Sequence, residues 1–121
     1  MRIAYLGPRG TFTEDALRAV LGDEVGVELV PRPTVFDTIV AVDTGAVDRA
    51  LVPFENSIEG AVRSTLDTLA FDTHGVAIVG EHDYPIRNSL IARAELPLDE
   101  ITAVLSHPQA SAQCARFIRE R

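Results

Sequence analysis

The chain has a single cysteine, no lysine, three widely spaced histidines and no long apolar run. One cysteine, Cys114, forms no internal disulfide, and His74, His82 and His107 lie too far apart for a local zinc motif, so no metal site is expected. No stretch approaches the roughly 20 apolar residues of a membrane span. The opening Met1-Arg2-Ile3-Ala4-Tyr5-Leu6 is too short for a secretion signal and is broken by Gly7-Pro8, so a cytoplasmic protein is expected. A basic face is missing too. All 11 basic residues are arginine, against 18 acidic ones, for a net charge of −7. That balance argues against nucleic acid and anionic membrane as partners. An anion bound by such a chain is held by local groups, helix N-termini or a few arginines, and not by the overall field.

What remains is an ordinary globular composition. At 121 residues, 46% hydrophobic and 24% charged, the chain is of one-domain size and long enough to bury a core. Short apolar runs alternate with segments of helical period. The expected strands are Ile3 to Leu6, Val27 to Val30, Ala50 to Phe54, Val76 to Glu81, Ser89 to Ala92 and Thr102 to Leu105, most without in-out alternation, as when both sheet faces are covered. Four apolar helix faces lie between them: Phe12, Ala16, Leu17 and Val20; Phe36, Ile39 and Val40; Ile58, Val62, Leu66 and Leu69; Ala110, Cys114, Phe117 and Ile118. This alternation predicts an α/β fold with a mostly parallel sheet and helices on both faces.

Three turns carry most of the polar chemistry: Gly7-Pro8-Arg9-Gly10-Thr11-Phe12-Thr13-Glu14, Val52 to Gly60 with Glu55-Asn56-Ser57 at its centre, and Ser106-His107-Pro108-Gln109 running to Gln113-Cys114. Thr11 with Glu14, Asn56 with Glu59, and Ser106 with Gln109 have capping-box spacing or close to it. Each start therefore reads as a structural cap or as an anion-holding helix terminus, and Thr34 with Asp37 shows the same spacing with no chemistry around it. Convergence favours the second reading, because turns after successive parallel strands open at one carboxyl edge. Gly10 meets a turn requirement or lets backbone amides approach a ligand. Glu55 reads as a solvated strand-end acid or a site residue, and His107 as a helix-start hydrogen-bonding group ahead of a general base. Cys114 reads as a packing residue. Pro31-Arg32-Pro33 reads as a stiff connection.

The three blocks, in this order and spread over nearly the whole chain, resemble the prephenate dehydratase family: its Gly-Pro-x-Gly-Thr motif at Gly7–Thr11, its Glu-Asn-Ser block at Pro53–Gly60 followed by Thr65-Leu66-Asp67, and its third block at Ser106–Cys114. The resemblance implies a two-lobed fold like that of type II periplasmic binding proteins, with the active site in the cleft; residues 1–78 would form the first lobe and 79–121 part of an incomplete second. It implies catalytic roles for Asn56, Ser106 and Gln113, and substrate binding by Gly10, Thr11, Glu55, Ser57 and His107. It also implies decarboxylative dehydration of prephenate to phenylpyruvate in phenylalanine biosynthesis, with no cofactor, a small-molecule substrate and a homo-oligomeric state. Arogenate dehydratase and a non-catalytic small-anion binding module of the same fold are the alternatives. The family's Thr-Arg-Phe block, with its catalytic threonine, has no counterpart here, and no sequence is left for a regulatory ACT domain. The last helix reaches Arg121 with Phe117 and Ile118 on its apolar face and no glycine stop. The chain thus reads as the front part of a longer protein, inactive alone.

Overall fold

The computed structural model describes residues 1–57 and 60–121. The chain divides into two compact units, Met1–Tyr84 and Pro85–Arg121.

The first unit is built on a parallel sheet of β1 (Arg2–Leu6), β2 (Glu28–Arg32) and β3 (Arg49–Leu51), in the order β2-β1-β3. β1 is central, and the in-out alternation of its apolar residues serves two cores at once. Ile3 and Tyr5 pack with Leu17 of α1 (Phe12–Leu21), while Ala4 packs with Ala41 of α2 (Val35–Asp43) and with Val47. One helix therefore covers each sheet face, as the uninterrupted apolar character of β1 requires. β2 is an edge strand, which is why it tolerates Pro31 opposite Tyr5: a missing N–H costs nothing on the open side of a sheet. Pro31 and Arg32 are thus strand residues, not the connection their composition indicates. α1 and α2 begin where their sequences predict. The Thr11 and Thr34 hydroxyls accept from the backbone N–H groups of Glu14 and Asp37 at 3.4 and 3.0 Å.

Beyond β3 the chain departs from expectation. Residues Glu55–Asn56 (β4) and Gly60–Ala61 (β5) pair antiparallel, and the helix that follows, α3 (Arg63–Asp67), runs into a π-helical turn at Thr68–Asp72. Asn56 therefore lies in a hairpin and does not cap a helix; its expected partner Glu59, and Ile58 of the expected apolar face, lie outside the described residues. Among the described residues no strand forms over Val76–Glu81, Ser89–Ala92 or Thr102–Leu105. The physical reason is the lack of pairing partners, since an apolar extended segment becomes a strand only against another.

The second unit holds a 3₁₀ turn at Leu98–Glu100, then α4 (Pro108–Gln113) and α5 (Ala115–Glu120). The single helix expected across Ala110–Ile118 is broken at Cys114, whose φ of −99° and ψ of 8° leave the helical region. None of the unit's residues is buried.

Candidate active site

The β1–α1 turn is tightly closed. Gly7 N–H donates to the Arg32 carbonyl at 2.8 Å, and a Cβ on Gly7 would stand 3.0 Å from Pro31 Cβ and 3.2 Å from the Arg32 oxygen, so a larger residue would push β2 away. Gly10 takes φ +81°, a conformation that L side chains rarely adopt. Its N–H donates to Glu14 Oε2 at 2.7 Å, while Thr11 Oγ1 donates to the Leu6 carbonyl at 3.1 Å. Glu14 also accepts from Arg18 Nη2 at 2.6 Å and from the Tyr5 hydroxyl. The turn is thus held rigid by a buried carboxylate, and an anion approaching the start of α1 meets a negative charge already seated there.

The Gly10 N–H, first, and the Arg18 hydrogen bond hold the Glu14 carboxyl below its ordinary value of 4.5, against the opposing effect of burial. A carboxyl with a depressed folded-state pKa lends stability that is fully present above its unfolded value and is lost as pH falls through the folded one. Glu14→Gln should accordingly be less stable than wild type at pH 7, with the gap shrinking as pH falls below about 4.5. Thermal melts from pH 7 to pH 3 measure this; a constant gap would show that the charge of Glu14 is irrelevant.

Glu55, Asn56 and Ser57 follow β3, the strand beside β1. Two hydrogen bonds shape this block: Val62 N–H donates to the Phe54 carbonyl at 2.8 Å, and Thr65 Oγ1 donates to the Pro53 carbonyl at 2.6 Å. Thr65 is fully buried and anchors the start of the hairpin from inside α3. Its position one turn into a helix just after a polar block was a signal for such an anchor, but sequence reasoning gave it no role. Thr65→Val removes the donor and keeps the shape, leaving the Pro53 carbonyl unpaired, so it should cost about 1–3 kcal/mol of stability in a denaturation experiment. A loss under 0.5 kcal/mol would refute the anchoring role.

In the second unit, His107 caps α4. Its Nδ1 accepts from the Gln109 N–H at 3.2 Å, with Pro108 as the first helical residue. The cap is therefore His107 and not Ser106, because Pro108, which needs no N–H partner, fixes the helix start one residue later than the Ser106–Gln109 spacing predicts. Accepting at Nδ1 leaves Nε2 to carry the proton of a neutral ring. Gln113 closes α4, and its Oε1 accepts from Asn88 Nδ2 at 3.3 Å. Ser106 is exposed.

The strand order brings two of the three blocks together. The path from β1 to β2 and back past β1 to β3 reverses direction between β1 and β3, so the turns carrying Gly10-Thr11 and Glu55-Asn56-Ser57 leave the same carboxyl edge at a topological switch point. Ser106 and His107 precede α4 and Gln113 is its last residue, so all three belong to the second unit. Among the described residues no group of three or more His, Cys, Asp or Glu side chains has a metal-binding arrangement, and no helix is long and apolar enough to cross a membrane.

Comparison with known proteins points to one family. The family model for prephenate dehydratase matches residues 3–121. A prephenate dehydratase of Amycolatopsis methanolica is 43% identical over 121 residues, covering 98% of this chain and 38% of the relative. A bifunctional chorismate mutase/prephenate dehydratase of Pseudomonas aeruginosa is 38% identical over 118 residues, 98% of this chain and 31% of its own length. The crystal structure of prephenate dehydratase from Streptococcus mutans superposes with a TM-score of 0.55 at 38% identity, covering 60% of this chain and 37% of that one. The chain thus spans well under half the length of these relatives. On a family match that runs over nearly all of its residues, the chain belongs to the prephenate dehydratase family.

Proposed function

We propose that the polypeptide to which these 121 residues contribute is a prephenate dehydratase of phenylalanine biosynthesis, a cytoplasmic and homo-oligomeric enzyme with a two-lobed catalytic domain of the type II periplasmic-binding-protein kind. Residues 1–78 form its first lobe and residues 79–121 open its second. The observation that carries this reading is the convergence of the Gly7–Thr11 and Glu55–Ser57 blocks on one carboxyl edge at the switch point of a parallel sheet.

The chemistry matches these residues. Prephenate loses its ring carboxylate as carbon dioxide and its ring hydroxyl as water, and aromatisation drives the reaction. The protein has two tasks: to donate a proton or strong hydrogen bond to the departing hydroxyl, and to hold the pyruvyl carboxylate while leaving the ring carboxylate free to break away. An arginine clamped on the ring carboxylate would stabilise the ground state and slow the reaction. Asn56, Ser106 and Gln113 are neutral donors that orient and polarise without pinning that charge. Gly10, Thr11, Glu55, Ser57 and His107 line the binding surface.

One feature favours a second reading for these residues in isolation: no Thr-Arg pair is present, and a chain without that threonine would capture a small anion without turning it over. The assay is phenylpyruvate absorbance after addition of prephenate, with the complete gene product and the 121-residue chain side by side and arogenate as the competing substrate. Turnover of prephenate by the complete product alone is expected. Turnover of arogenate in preference to prephenate would reassign the substrate, and no turnover of either would leave the binding module.

A further inference from the structure

The carboxyl edge has a second feature, on the β2 side of the β1–α1 turn. A shallow cavity of about 490 Å³ is lined by Gly7, Pro8, Arg9, Pro31, Arg32 and Pro33. Three prolines give it rigid apolar walls, two arginines give it charge, and no carboxylate is among the lining residues. Both arginines are unspent: among the described residues, the two ion pairs are Arg18–Glu14 and Arg116–Glu120, and neither involves Arg9 or Arg32. Arg32 Nε is moreover shielded from solvent and, among the described residues, is the one buried side-chain polar atom without a hydrogen-bond partner. A guanidinium N–H kept from water without an acceptor is costly, and such groups call for a reason.

We propose that this groove is a carboxylate subsite in which Arg32, with Arg9, takes the carboxylate of a keto acid while Pro8, Pro31 and Pro33 flank its carbon body. Arginine presents parallel donors that match a carboxylate in fork geometry, and with Arg32 Nε shielded the terminal amino groups of the guanidinium are the donors that a ligand meets. The neighbouring start of α1 does not compete, since the Gly10 N–H is already bonded to Glu14. Within the dehydratase reading, on which this assignment of the ligand rests, the groove takes the pyruvyl carboxylate. The ring carboxylate, which must leave, is then free of both arginines. The run Pro31-Arg32-Pro33 thereby gains a role: the prolines fix the backbone around one charged side chain.

The test uses phenylpyruvate as probe and the arginine Nε–H signals of the ¹⁵N-labelled 121-residue chain as readout. The expected result is a saturable shift of Arg32 Nε–H and of the Gly7 and Arg9 amides. The same ring on a neutral methyl ketone should not reproduce it. Arg32→Gln and Arg9→Gln should each bind phenylpyruvate about tenfold more weakly or worse, the loss for a charge-assisted hydrogen bond of about 1.4 kcal/mol, while Arg93→Gln in the second unit binds as wild type. Arg9 is exposed, so its variant keeps the test valid should Arg32→Gln perturb β2. In the complete gene product, Arg32→Gln should raise KM for prephenate by a similar factor and change kcat much less. Shifts that map elsewhere, equal shifts with the neutral ketone, or unchanged affinity in both variants would overturn the subsite. Shifts as described with no turnover of prephenate by the complete product would remove the dehydratase reading and leave the subsite standing.

Discussion

In the complete gene product, replacing Asn56, Ser106 or Gln113 by alanine is expected to lower kcat/KM for prephenate by roughly 1.5–4 kcal/mol each, or about 10- to 1,000-fold, the range for losing a placed polar donor. As the ring hydroxyl departs, negative charge grows on its oxygen, and a neutral donor aimed there bonds more strongly in the transition state than in the ground state. Asn88 Nδ2 donates to Gln113 Oε1, which leaves the NH₂ of Gln113 as its donor group. Ser106 is exposed and His107 caps the helix in its place, so Ser106→Ala should keep thermal stability within about 0.5 kcal/mol of wild type. A fall in rate there reports chemistry and not unfolding. Wild-type turnover in any two of the three variants would sink the assignment.

The second large effect concerns the 121-residue chain alone. Amide hydrogens of β1 should exchange nearly four orders of magnitude more slowly than those of an unfolded chain, while those of Pro85–Arg121 exchange almost unprotected, and the chain should have little or no dehydratase activity. β1 is buried on both faces by two helices, so its amides open only with the whole unit, at a cost of about 5 kcal/mol for a small domain. The second unit has no buried residue at all, and its apolar side chains face water, with Ile91 at 87% and Leu105 at 97% exposure. A unit of this size without a core is stable only against other polypeptide. Its exposed apolar segments should also draw the chain into concentration-dependent association, seen in sedimentation velocity, because burial of such surface recovers about 25 cal/mol per Å². Full protection across both units in a monomer that turns over prephenate would overturn this expectation.

Local signals decided how much of the fold was legible in the sequence. β1, β2, β3, α1 and α2 each carry their own: apolar runs for the strands, threonine caps with an acid three residues on for the helices. The stretches Val76–Glu81, Ser89–Ala92 and Thr102–Leu105 have equally strong strand composition, yet composition cannot supply a partner strand, and without one they stay unpaired. At Asn56 two local rules compete, since an amide three residues before an acid serves a cap and a hairpin alike, and the Thr65 bond to Pro53 that settles the choice is a tertiary contact. At Ser106 the sequence rule erred by one residue because Pro108 moved the helix start. The blocks themselves were visible from residue types, but their meeting at one sheet edge follows from strand order, which periodicity alone does not give.

The most direct test of the account is to supply the complete gene product with prephenate labelled with ¹³C in its ring carboxylate and to count labelled carbon dioxide against phenylpyruvate formed. One labelled carbon dioxide per phenylpyruvate, with the same ratio at a reduced rate in Asn56→Ala, is the predicted result. Saturable binding of prephenate with the label retained in the ring acid would contradict it and show a protein that captures the anion without breaking it.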